Sequence, residues 1–319
     1  MNVDTKILKT LFSNPTQGLS LPSLLAQVGG EEPALLRHVE ELRHLGYDIE
    51  YLPHSGYRLS TLPDILVADE LQARLPDHPL TRHVLIFKET RSTNDLAHRY
   101  GREGHAGPLV IVSESQTHGR GRQGRVWNSQ PQLGLWLSLL LKSHIPAHQT
   151  PRLTIQSCLA LHRAIQKITQ IHPEIKWPND LLFKGRKLAG ILTEAQLLGN
   201  TLSFVIIGIG CNVNHLASDF PPELQHLATS LFQITGEKIR RADLLVELLQ
   251  QLATIQTEPW ETIRDEWKSH CLSMGKTITL TISGKLITGQ MIDIDPNGAL
   301  IFRHSHGALE AIHAGEILS

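Results

Sequence analysis

Residues 181–194 read LLFKGRKLAGILTE. Two apolar-rich stretches flank a polar break with Gly185 at its tip, a pattern that predicts a β-hairpin. A hairpin here weighs against a doubly wound parallel sheet, in which helices separate successive strands. Apolar runs VLIF (84–87), LVIV (109–112), LGLWLSLLL (133–141) and LSFVIIGIG (202–210) predict further buried strands. Helical spacing predicts helices over 150–171 and 240–255. Hairpins mixed with helices place residues 63–271 in the α+β class.

The flanks differ in character. In residues 1–62, Ile7, Leu8, Leu11 and Phe12 share one helical face, and Leu21, Leu24, Leu25 and Val28 share a second. Leu35, Leu36, Val39, Leu42 and Leu45 form a third, stopped by Gly46. The stretch YDIEYLPHSGYRLS then alternates as two short strands around a turn. Three helices followed by a hairpin predict a winged helix-turn-helix unit, and STLPD (60–64) reads as a linker. From residue 272 to 319, short strands with turns at SG, PNG and HG predict a small β-barrel.

Composition narrows the function. Lys+Arg number 30 against 31 Asp+Glu, so no global charge recruits nucleic acid or membrane, and anion binding must be local. Cys158, Cys211 and Cys271 are sparse and widely spaced, which argues against a disulfide framework or a paired zinc site. The N-terminus lacks a secretory pattern and no apolar run reaches the roughly 18 residues of a spanning helix, so a soluble cytoplasmic protein is expected, with no membrane partner. The 18 histidines are scattered without an HExxH pattern, and no catalytic-triad spacing stands out.

The local anion site is legible in HGRGRQGRVW, residues 118–127. Glycine lets backbone N–H groups approach a ligand, and arginine supplies planar paired donors for phosphate or carboxylate. No G-K-[ST] follows, so this is not a Walker-A loop. Alone, the stretch fits a solvated basic loop as well as an anion cradle. In IKWPNDLLF (175–183), Lys176 is fixed between Ile175 and Trp177. Burial there calls for an anionic partner, while a lysine snorkelling past a core tryptophan fits equally. Ser92, Thr93 and Asn94 stand where a strand passes into a helix, which plain helix capping also explains. GRKLAGILTE (185–194) and GIGCNVN (208–214) are glycine-marked strands, a mark of close ligand approach or of tight packing.

In order, STN (92–94), SESQTHGRGRQGRVW (113–127), KWPND (176–180), GRKLAGILTE and GIGCNVN resemble a bifunctional biotin protein ligase, the biotin operon repressor. The resemblance covers essentially the whole chain, and the pairing of GRGRxGR with KWPND is its most specific part. It implies a winged helix-turn-helix domain (1–62), a mixed α/β ligase-like catalytic domain (63–271) and a small SH3-like β-barrel (272–319). It implies ATP-dependent formation of biotinyl-5′-AMP with Mg²⁺, then transfer of biotin to a lysine of the biotin carboxyl carrier protein of acetyl-CoA carboxylase. Ser92, Thr93, Asn94 and Gln116 are then expected to line the biotin pocket. Arg120, Gly121 and Arg122 are expected in a loop closing over the adenylate, and Lys176 at the biotin carboxylate and α-phosphate. Arg120, Arg122 and Lys176 are thus the catalytic candidates, while Arg125, Trp127, Lys187 and Asn212 are candidates for the nucleotide surroundings. No metal ligands are identified. A lipoate-type ligase and a non-catalytic biotin-sensing regulator are the alternative readings.

The resemblance also brings in operator DNA and a homodimer as partners. Charge opposes the first. Residues 1–60 hold five Lys or Arg and seven Asp or Glu, and the presumed recognition helix opens with Glu31 and Glu32, a poor surface for phosphate. The repressors resembled usually carry polar or basic residues there.

Overall fold

The first helix, α1 (Val3–Phe12), starts at Asn2, whose side chain accepts from Thr5 N–H at 2.9 Å. Ser20 caps α2 (Leu21–Val28) in the same way, and α3 (Glu32–His44) follows. The hairpin β1 (Asp48–Leu52) and β2 (Gly56–Thr61) completes the unit. The apolar positions that set the helical spacing, Ile7, Leu8, Leu11, Leu24, Val28, Leu35, Val39 and Leu42, are buried together with Tyr47 and Ile49. This is a computed structural model, and it describes residues 2–105, 107–142, 146–198, 201–282 and 284–318.

Residues 60–64 are no free linker. Arg240 Nε donates to the Pro63 carbonyl at 2.9 Å, and the Asp64 carboxylate accepts from Arg241 N–H at 2.9 Å. The next helix, α4 (Ala68–Arg74), packs two ways: Ala73 joins the first core, while Leu71 joins the central one. Its acid Glu70, fully buried, accepts from the Tyr47 hydroxyl of the first unit at 2.8 Å and from Arg240.

A seven-stranded sheet forms the centre. Its strands in chain order are β3 (Val84–Phe87), β4 (Leu109–Ser113), β5 (Gly134–Leu141), β6 (Glu174–Lys176), β7 (Asp180–Phe183), β8 (Arg186–Leu198) and β9 (Thr201–Asn212), and their spatial order is β3-β4-β5-β9-β8-β7-β6. Only β3 and β4, joined through α5 (Thr93–Arg102), are parallel, and every other described pair is antiparallel. The α+β reading therefore holds. The β7–β8 hairpin turns at Gly185 with φ +78°, a conformation few side chains accept. Strand alternation sorts the two faces. Val110, Val112, Leu135, Leu137, Leu139, Ile191, Ile207 and Ile209 point into the large core with α6 (Thr150–Thr169) and, after the short α7 (Leu231–Thr235), α8 (Arg241–Ile255). Leu109, Ile111, Leu140, Phe204 and Ile206 point the other way, against Ala97 of α5.

After α9 (Trp260–His270) come β10 (Thr277–Ile282), β11 (Lys285–Ile294), β12 (Leu300–His304), β13 (Leu309–Ile312) and β14 (Glu316–Ile317). Their order is β13-β12-β11-β10-β14. Among the described residues β14 does not pair with β13, so the five strands make an open sheet and not the closed barrel expected. Its apolar face, with Leu280, Met291, Leu300, Phe302 and Ile317, is continuous with the central core. No described helix is long and apolar enough to cross a membrane, and Cys158, Cys211 and Cys271 are buried free thiols.

Candidate functional site

The site lies on the α5 face of the central sheet. Alternation puts Ser138, Gly190, Gly208 and Gly210 on that face, where their neighbours in the other direction are large apolar residues. Small residues there leave a cavity of about 530 Å³. A Cβ on Gly208 would stand 2.3 Å from Asn94 Oδ1, and one on Gly210 would stand 2.6 Å from the Trp127 ring. These glycines are needed for close approach and not for a special φ.

Neutral polar side chains gather at one end of the cavity, beside the Arg120–Glu194 ion pair. Ser92, Thr93 and Asn94 open α5 and are buried. The Gln116 Oε1 accepts from Thr93 N–H at 2.8 Å and from its hydroxyl at 3.2 Å, while Gln116 Nε2 donates to Ser129 Oγ at 2.8 Å. Ser138 Oγ lies 2.7 Å from Thr93 Oγ1 and 2.5 Å from Asn94 Oδ1. Asn94 Nδ2 donates to Glu194 Oε2 at 2.6 Å. The Ser92 side chain makes no cap hydrogen bond, so capping does not explain it. Ser138, Ser129 and Glu194 went unassigned in the sequence. The signal for Ser138 was a single hydroxyl inside the apolar run LGLWLSLLL.

The arginine stretch is a small folded hairpin. Gly121 N–H donates to Arg125 O at 2.7 Å, and Trp127 N–H donates to Gly119 O at 2.8 Å. Each guanidinium meets protein acceptors. Arg120 contacts Asp95 Oδ1 at 3.0 Å and Glu194 Oε1 at 2.6 Å. Arg122 donates to Asn179 Oδ1 at 3.2 Å and to the Gly315 carbonyl at 2.9 Å. Arg125 makes a two-pronged pair with Glu316, 2.6 Å on each prong. Burial raises the Glu194 carboxyl, but Arg120, Asn94 and His98 outweigh it and hold the group below its usual range. The Arg125 hydrogen bond holds Glu316 below its usual range as well. Burial lowers Arg122 from its ordinary value.

At the same end, Lys187 Nζ sits 2.8 Å from Asp180 Oδ2 and 5.3 Å from the centre of the Trp127 ring. Lys176 lines the cavity, half-buried, with no ion-pair partner within 4.0 Å among the described residues. Asp180 Oδ1 and Trp127 Nε1 are buried with no hydrogen-bond partner among the described residues, and both residues line the cavity. Asn212 also lines the wall, but its amide is committed to the Thr229 carbonyl at 3.0 Å. The structure thus brings together Ser92, Thr93, Asn94, Gln116, Arg120, Gly121, Arg122, Arg125, Trp127, Lys176, Lys187 and Asn212 around one cavity. The one described grouping of metal-capable side chains, Asp4, His38 and Glu41, lies on α1 and α3, and none of the three lines the cavity.

A cavity with a cluster of neutral hydrogen-bonding groups, a glycine floor and several cations suits a ligand that is neutral and polar in one part and anionic in another. Comparison with known proteins gives this a family. A sequence profile of the biotin/lipoate A/B protein ligase family matches residues 86–212, and one of the biotin protein ligase C-terminal domain matches 273–318. The bifunctional ligase/repressor BirA of Bacillus subtilis is 35% identical over 294 residues, covering 91% of this chain and 90% of that protein. The Escherichia coli protein of the same name is 28% identical, covering 91% of this chain and 89% of its own. Among solved structures, the Aquifex aeolicus biotin protein ligase in complex with biotin and ATP superposes with a TM-score of 0.62 at 29% identity, over 74% of this chain and 97% of that one. By identity, coverage and fold, this chain belongs to the biotin protein ligase family.

Proposed function

We propose that the protein joins biotin to ATP, giving biotinyl-5′-AMP and pyrophosphate, and then passes biotin to a lysine of the biotin carboxyl carrier protein of acetyl-CoA carboxylase. The observation that carries this reading is one cavity lined both by neutral donors and acceptors, Thr93, Asn94 and Gln116, and by the cations Arg120, Arg122, Lys176 and Lys187. Thr93, Asn94 and Gln116 suit the ureido ring, whose N–H and C=O groups need both acceptors and donors. Trp127 offers a flat face for adenine.

Attack of the biotin carboxylate on the α-phosphorus forms one C–O–P link and releases pyrophosphate. The two reactants are both anions, so the approach needs fixed cations. The geometry favours Lys187 for the carboxylate and α-phosphate, because Asp180 and Trp127 hold its ammonium in place. Lys176 lines the cavity together with Glu316 and Arg125, which suits the departing pyrophosphate. Arg120 and Arg122 cover the adenylate, and the hairpin that bears them excludes water from the mixed anhydride. Asp180, which lines the cavity, would be the carboxylate to hold Mg²⁺ arriving with nucleotide, and the ion would neutralise phosphate charge. In the second half-reaction the carrier lysine attacks the acyl carbon and AMP leaves.

The test is pyrophosphate release with biotin and MgATP. Lys187→Ala and Lys176→Ala should each fold as wild type, and Lys187→Ala should lose about 100-fold or more in adenylate formation. Full activity in Lys187→Ala would refute its role. Lipoate in place of biotin, in the same assay, separates the lipoate-type reading.

The chain divides on this reading into units at 1–62, 63–271 and 272–319, the first a winged helix-turn-helix supported by the order of three helices and a hairpin. The relatives named ligase/repressor support operator DNA as its partner, and a homodimer on the DNA is part of the same proposal. The exposed Glu31, Glu32, Glu40 and Glu41 on α3 oppose it. A gel shift on the biotin-operon promoter at low salt, with and without biotin and ATP, decides: a shift is expected, and its absence leaves the ligase alone.

A further inference from the structure

Two of the motif strands end at the same place. Gln116 and Asn212 line the cavity, and each is followed or preceded, two residues away, by a side chain that leaves it. Glu114 and Asn214 both reach an ion cluster built on the half-buried Asp64 and on Arg241. Arg241 is fully buried. Its backbone N–H and its Nε donate to Asp64 Oδ1 at 2.9 and 3.2 Å, its Nη2 donates to the Asp64 carbonyl at 2.8 Å, and its Nη1 meets the Glu114 carboxylate. Asn214 Nδ2 donates to Asp64 Oδ2 at 3.2 Å, and the same amide grips both backbone groups of Ile239, at 2.9 and 3.0 Å. Glu114 Oε1 in turn accepts from Leu66 N–H at 3.1 Å.

We propose that Asp64 is a positioning residue for the ligand cavity: through Arg241, Glu114 and Asn214 it fixes the two segments that present Gln116 and Asn212. The inference rests on the cavity being the biotin and ATP site. Asp64 and Glu114 together supply charge to an arginine that is fully buried, and the hydrogen bonds of the cluster hold its members in place. That arrangement sets where β4 and β9 run on into the cavity wall. The neighbouring residues extend the grip to the first unit. Arg240 holds the Pro63 carbonyl and Glu70, and Glu70 accepts from Tyr47. The segment that composition marks as a linker is thus the anchor for both cavity strands.

Steady-state adenylate formation in the full-length protein tests this, with wild type first showing turnover; no turnover in wild type would refute the function and not the anchor. Asp64→Ala should raise KM for biotin and for ATP, each about tenfold, with kcat within about twofold. Asp64→Asn, which keeps an acceptor for the Arg241 N–H, should fall between. Leu24→Ala, a destabilising change in the first core, should leave both KM values near wild type. Unchanged KM in Asp64→Ala, or an equal rise in Leu24→Ala, overturns the proposal. Hydrogen exchange on wild type gives a reading that needs no variant: biotin with ATP should slow exchange at Leu66 N–H, and no slowing overturns it too.

Discussion

Gly208→Ala isolates the floor of the cavity. The added methyl would stand 2.3 Å from Asn94 Oδ1, 2.9 Å from its Cγ and 3.0 Å from its Nδ2. Asn94 has little freedom to retreat, because Ser138 Oγ lies at 2.5 Å on one side and its amide donates to Glu194 at 2.6 Å on the other. Relief therefore means displacing the asparagine and breaking at least one of those contacts. Overpacking of this kind costs about 1–3 kcal/mol. If the displacement falls on the bound state, biotin affinity drops about 5- to 150-fold. Titration calorimetry with biotin alone reads this directly, and melting of the unliganded protein checks that the fold survives. Gly107→Ala is the matched control, since it does not line the cavity and its nearest neighbour would be His83 Cδ2 at 4.0 Å. Wild-type biotin affinity in a folded Gly208→Ala variant would refute the placement of biotin on this floor.

Acid should destabilise the protein through two buried histidines. Burial lowers His162 to about 4, helped by His270, and burial lowers His215 to about 4 as well. Neither group changes stability above pH ~6.5, where folded and unfolded forms are both neutral. Below that the unfolded chain gains protons first, so stability falls between pH ~6.5 and ~4 by up to about 3 kcal/mol per residue. Calorimetric melting across that window should flatten in His215→Phe, whose ring can keep the stack on Phe220 at 4.8 Å; an unaltered slope would refute it. Glu194→Gln removes the charge that joins Asn94 to Arg120, and KM for biotin should rise about tenfold, as for a lost charge-assisted hydrogen bond. An unchanged KM would detach Glu194 from the biotin end.

Strands and long helices were legible because alternation and helical spacing are local. LVIV and LSFVIIGIG became β4 and β9, and the tip of the β7–β8 hairpin falls at Gly185. Short elements that serve two cores were not. In ADELQAR the apolar residues Leu71 and Ala73 face different cores, so α4 shows no single stripe. In α9 only Trp260, Ile263 and Trp267 are buried, which leaves a mostly charged stretch. The site followed the same division. Motifs carried Gln116, Trp127 and the arginines, whereas Ser138, Glu194 and Glu316 took their meaning from partners far along the chain. Arg125 and Glu316, for example, are 191 residues apart. Composition misled at STLPD, where proline and serine signal a loose connection and two arginines near residue 240 hold it fast.

The arginines of the folded hairpin do not wait in water. Each already faces an oxygen of Asp95, Glu194, Asn179, Gly315 or Glu316. Nucleotide arriving there trades carboxylate oxygens for phosphate oxygens at Arg120 and Arg125, so the number of ion pairs those two make need hardly change. Binding by exchange releases few counterions, and affinity for ATP should depend only weakly on ionic strength. It also makes the hairpin selective, because a lone phosphate cannot replace acceptors spread from α5 to β14, while a ligand long enough to span them can.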